Sequence, residues 1–95
     1  MRIKKVDANQ PQLVKQLRQI PGLSVVSIHT VGKGVPDLLV GHKKRNILLE
    51  VKDPKQPPSA KKLTPDEVEF HNNWQGEVYI VETFEDVLKI ITNSK

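Results

Sequence analysis

The chain contains no cysteine, which excludes a disulfide framework and any thiolate metal centre. Aromatic residues are few: Phe70, Trp74, Tyr79 and Phe84 are the whole set. All four lie in the C-terminal third within apolar helical or strand patterns, so they are expected in the core. That placement argues against a binder built on base-stacking platforms. The three histidines, His29, His42 and His71, show no metal-ligand spacing and are expected in surface or capping roles. No apolar run approaches membrane-spanning length, and no signal-peptide pattern opens the chain. A cytoplasmic protein with no membrane partner is the expectation. Internal repeats and low-complexity tracts are absent as well.

What is present fits one small domain spanning residues 1–95. A chain of this size buries only about two-thirds of its unfolded surface, so a second copy is expected to complete the core or the site. Lysine and arginine number 15 against 11 acids. The excess is concentrated: Lys43, Lys44, Arg45, Lys52, Lys55, Lys61 and Lys62 lie close together in sequence, opposed there only by Glu50 and Asp53. A positive surface of this kind suits a polyanion, and a phosphodiester backbone is the obvious one.

Periodicity predicts the order α-β-β-β-α-β-α, a mixed sheet flanked by helices. A first helix spans Asp7 to Ile20, with Asp7 or Asn9 as cap, Pro11 in its first turn and an apolar stripe of Leu13, Val14, Leu17 and Ile20. Pro21-Gly22 stops it. Leu23 to Ile28 reads as a strand. Thr30 to Gly34 is a flexible loop whose glycines allow close backbone approach and which lacks the spacing of a nucleotide-binding loop. The prolines between Asp53 and Lys62 forbid regular structure there and give an ordered basic loop or a flap. Thr64-Pro65-Asp66-Glu67 is a helix start with a capping box. Val78 to Val81 is a short interior strand, and Thr83 caps a last helix that buries Phe84, Val87, Leu88 and Ile91.

The informative segment is 36–52. Two antiparallel strands, 35–40 and 46–52, joined around residues 41–45, can be paired so that opposed residue numbers sum to a constant. Val40 then faces Ile47, Leu38 faces Leu49 and Pro36 faces Val51, giving one wholly apolar face. The other face pairs Leu39 with Leu48 and Asp37 with Glu50, with Lys52 alongside. A one-residue slip would separate the carboxylates. Opposed like charges are destabilising unless something sits between them, and two hard oxygen ligands with open positions suit Mg²⁺ or Mn²⁺.

Gly34-Val35-Pro36-Asp37-Leu38-Leu39-Val40-Gly41 followed by Leu49-Glu50-Val51-Lys52 resembles the PD-(D/E)xK nuclease signature. More narrowly, it resembles the stand-alone, phage-type members of the VRR-NUC (virus-type replication-repair nuclease) family, and the likeness covers nearly the whole chain. The resemblance implies an α/β, restriction-endonuclease-like core and a metal-dependent DNA endonuclease. It also implies a homodimer similar to Holliday-junction resolvases, acting on branched DNA. Asp37 and Glu50 would be metal ligands, the Val51 backbone carbonyl a third, and Lys52 the residue that orients the attacking water and stabilises developing charge. Lys33, Lys61 and Lys62, with Lys43, Lys44 and Arg45, would grip DNA. Nucleases of this type commonly carry a further acid on the first helix. Here Gln12 occupies a plausible place for it, with Asp7 as the alternative if the helix begins earlier. Glu67, His71 and Gln75 share one face of the second helix, either toward the site or toward solvent. Two other functions remain: a non-catalytic nucleic-acid-binding module, and a nuclease subunit active only with a helicase or recombination partner.

Overall fold

The computed structural model describes residues 6–93. It is an α/β domain with a four-stranded mixed sheet in the order β1-β2-β3-β4. The elements are α1 (Gln10–Leu17), β1 (Leu23–Ser27), β2 (Leu38–His42), β3 (Arg45–Val51), α2 (Pro65–Asn73), β4 (Glu77–Val81) and α3 (Phe84–Thr92). Short 3-10 turns at His29–Val31 and Pro58–Lys61 are interposed, which the sequence reading did not anticipate. The second begins at Pro58, because proline removes a donor that the first residue of a helical turn does not use. β1, β2 and β3 are antiparallel neighbours, whereas β3 and β4 are parallel. The parallel pair requires a crossover, and α2 supplies it.

The hairpin register is the one that the apolar pattern specifies: Leu38 opposes Leu49, Leu39 opposes Leu48 and Val40 opposes Ile47. Leu38, Val40, Ile47, Leu49 and Val51 form the core with Leu13 and Leu17 of α1, Val81 of β4, and Val87 and Ile91 of α3. Every residue from Ile47 to Val51 is buried, as a central strand covered on both faces requires.

The hairpin turn differs from expectation. The strands run on to the His42–Arg45 pair, leaving Lys43-Lys44 as a two-residue turn with φ of 49° and 70°. Such turns favour Asn-Gly because both central residues need positive φ. Two lysines adopt that backbone here at a cost of roughly 1 kcal/mol each.

The capping box expected at Thr64 forms, and Thr83, expected only as a cap, makes a second one with Asp86. Thr64 accepts from the Glu67 N–H and Thr83 from the Asp86 N–H, with the acid returning the bond in each case. α1 is shorter than predicted, because Asn9 starts it and its side chain is used elsewhere. Its amide donates to the carbonyls of Lys52 (3.1 Å) and Glu82 (2.9 Å), tying the helix to the ends of β3 and β4. Tyr79 and Phe84 pack on the core as expected, but Trp74 is 46% exposed. Among the described residues no helix is long and apolar enough to cross a membrane.

Candidate functional site

A small domain can bury few charges, and an unpaired one costs several kcal/mol. The buried charged residues here are Asp37, Glu50, Lys52, Asp53 and Glu67. They are not scattered. Asp37 sits one rung beyond the Leu38–Leu49 pair, where its N–H donates to the Leu49 carbonyl (3.0 Å) and its Oδ2 accepts from the Val51 N–H (2.8 Å). Those partners flank Glu50 on either side, so the two acids are fixed next to each other on the face opposite Leu38 and Leu49. They are 2% and 1% exposed.

Lys52 lies two residues beyond Glu50 on the same face. Its Nζ is 3.6 Å from Glu50 Oε2 and 3.4 Å from Glu67 Oε1. Glu67 arrives from α2, where the capping box pins its carboxylate to the Thr64 N–H at 2.9 Å. The ammonium is therefore held between a strand acid and a helix acid. Gly34 makes this packing possible. A Cβ there would lie 2.3 Å from the Asp66 carbonyl oxygen, so only glycine lets the loop before Asp37 touch the start of α2. Its φ of +80° also favours glycine.

Asp7, just before α1, completes the cluster. Burial raises its carboxyl above the ordinary value of 3.8; Lys52 pulls it down, and the negative Asp37 and Asp53 push it up again. Burial is the largest of these effects, and the strongest single charge acting on Asp7 is the Lys52 ammonium. Asp7 lines a cleft of about 340 Å³ with Val6, Ala8, Gln56 and Ala60, between the N-terminal segment and the proline-rich loop.

Of the other predicted site residues, Gln12 is exposed and lines a different cleft with Asn9, Gln16 and Glu82. The amide buried at this end of α1 is Gln10, whose Oε1, like Asn9 Oδ1, has no hydrogen-bond partner among the described residues. Gln10 shares the i, i+3, i+7 stripe of Leu13 and Leu17, a spacing visible in the sequence. Asn9 has no such signal, since its partners lie far along the chain.

Arg45 is committed to the fold. It forms a fork on Glu77 (2.9 and 2.5 Å) and donates to the carbonyls of Ile90 and Asn93 at the end of α3. The bond to Glu77 raises its pKa further. Lys61 pairs with Glu82 at 3.2 Å, whereas Lys33 and Lys62 are exposed. Lys43 and Lys44 are exposed at the turn. At ~3.3 Å per strand residue they stand about 20 Å from Asp37, at the opposite end of the hairpin. The basic residues therefore do not form a single patch beside the carboxylates.

Among the described residues no group of three or more His, Cys, Asp or Glu has an arrangement that would hold a metal ion. The donor set on offer is the Asp37–Glu50 pair with the Val51 backbone beside it. That set fits Mg²⁺, which is commonly held by one or two carboxylates and completes its shell with water and substrate phosphate. No family model, no curated protein and no solved structure matches the chain.

Proposed function

We propose that the protein is a metal-dependent DNA endonuclease of the PD-(D/E)xK, VRR-NUC-like type. The observation that carries the reading is the convergence of the domain's buried charges on the end of one hairpin, with Asp37 and Glu50 side by side and Lys52 against them. A structural role explains this poorly, because a hydrophobic replacement of buried ion pairs is often neutral or stabilising.

Asp37 and Glu50 would hold Mg²⁺ or Mn²⁺, with the Val51 carbonyl as a further oxygen. The ion would supply an electrophile for a phosphoryl oxygen and an acidified water. The chain's own contribution is positional. The Val51 N–H fixes the Asp37 carboxylate. Glu50 and Glu67 hold the Lys52 ammonium in place, where it would stabilise negative charge developing on the phosphate. An ordinary lysine is a poor base near neutrality, so electrostatic stabilisation is the role that this setting supports. Lys33 and Lys62 would contact the backbone near the cut, and Lys43 and Lys44 a more distant stretch. Branched DNA, such as a four-way junction, is the substrate class proposed, with two copies placing two sites on a symmetric substrate.

The test incubates the protein with labelled four-way junction and linear duplex, with Mg²⁺, Mn²⁺ or EDTA, beside Asp37→Ala and Lys52→Met. Metal-dependent cleavage that falls at least ~100-fold in Asp37→Ala supports the assignment. Cleavage that survives this substitution removes it. Junction binding with no cleavage makes the chain a non-catalytic module, and cleavage appearing only with a helicase or recombination protein makes it a subunit.

A further inference from the structure

α2 carries an aromatic pair that the core does not use. The Phe70 and Trp74 rings are stacked, with centroids 5.1 Å apart and planes 16° from parallel. Trp74 is the sole tryptophan, and almost half of it is exposed. Its indole is seated from a second side by Gly76, where a Cβ would lie 2.9 Å from Nε1. The pair walls a cleft of about 430 Å³ that is completed by Lys33, Asp66, Glu69 and Asn73, a size within the ligand-pocket range.

The cleft is joined to the charged site at two points. Lys33 belongs to the loop that leads directly into Pro36-Asp37. Asp66 precedes Glu67, the partner of Lys52. With a helix rise of 1.5 Å per residue, Trp74 stands about 10 Å along α2 from Glu67, or roughly three base steps of 3.4 Å. The lining chemistry selects the occupant. Asp66 and Glu69 repel a phosphate, but they do not repel an uncharged ring, and with the Asn73 amide they offer acceptors to base N–H and amino groups. Lys33 at the loop side can hold the accompanying phosphate. A base inside a duplex stack cannot enter; an unpaired one can.

We propose that the Phe70–Trp74 pair is a stacking shelf for one unpaired nucleobase of a DNA strand that passes the Asp37–Glu50 site. The identity of that strand rests on the nuclease reading; the stacking itself does not. The experiment follows Trp74 emission while the full chain is titrated in EDTA with a short single-stranded oligonucleotide, and with an abasic oligonucleotide of equal length. Saturable quenching by the first and not by the second is expected. By anisotropy of a labelled oligonucleotide, Trp74→Ala should bind about tenfold more weakly than wild type, with unchanged circular dichroism, and Gly76→Ala should reduce the quenching by displacing the indole. No quenching, or equal affinities for wild type and Trp74→Ala, overturns the shelf. So does an emission change that follows protein concentration without DNA, which would mark a contact between copies. Quenching in a chain that never cuts DNA keeps the shelf and removes the nuclease; cutting without quenching does the reverse.

Discussion

α2 and α3 begin with the same device and end in different occupations. Each opens on a threonine cap whose hydroxyl accepts from the backbone N–H of an acidic residue three positions on. From there α3 buries Val87 and Ile91 in the core, and its Asp86 carboxylate accepts from local backbone at Glu82 and Thr83. α2 buries no apolar residue; its one buried residue is Glu67, which also reaches Lys52, while Val68 and Trp74 face solvent. One capping motif thus serves stability alone in α3, and in α2 joins a helix start to a charged site. Local sequence announces where a helix starts. The side chains after the cap decide what it is for.

The sharpest way to break this comparison is to truncate a valine on each helix. Val87→Ala should cost about 2 kcal/mol through lost burial and a residual cavity, lowering Tm by roughly 10 °C. Val68→Ala should stay within about 0.5 kcal/mol, as exposed substitutions do. Equal losses in calorimetry would mean that α2 is as much part of the core as α3.

Next come the box acids. Glu67→Gln keeps an oxygen for the Thr64 N–H but removes the charge beside Lys52. On the nuclease reading, DNA cleavage should fall about tenfold, as when a supporting partner is lost, with the pH profile altered and Tm little changed. Asp86→Asn should leave turnover per folded molecule unchanged. Parallel kinetics of the two variants would show whether the boxes really differ.

The caps themselves should be nearly equivalent, at about 1 kcal/mol for Thr64→Ala or Thr83→Ala. Hydrogen exchange should still separate them. Loss of the α3 cap should lower protection across the core, whereas loss of the α2 cap should open only that helix.

The smallest effect is the pH response of Asp7. Its folded pKa lies above the unfolded value, so the folded state holds a proton that the unfolded state has released. Stability therefore falls as pH rises through that window. Asp7→Asn should raise Tm at neutral pH, leave it unchanged well below the ordinary carboxylate range, and flatten the profile between. A divalent ion bound nearby should move the window to lower pH.

Much of the fold was legible because one register of β2 against β3 puts Leu38, Val40, Ile47 and Leu49 together on a face without charge. The same logic placed Asp37, Glu50 and Lys52 on one face. The turn was misread as longer, since lysine carries no signal for left-handed backbone. The role of Arg45 was hidden because its partners, Glu77 and the end of α3, are distant in sequence. Phe70 and Trp74, four residues apart on a helix, look like a buried stripe, and only packing shows that Trp74 stays half-exposed. Gln12 and Gln10 differ by the helix face they occupy, which depends on where α1 starts.

The seat of Gly34 against Asp66 has one more effect. It fastens a loop, ordinarily the loosest kind of backbone, to a rod. The acid three residues downstream consequently inherits the stiffness of a helix rather than the wandering of a connector. Gly34→Ala would prise that loop from the rod, and the damage would be read both in the positional spread of the carboxylate and in an earlier melt.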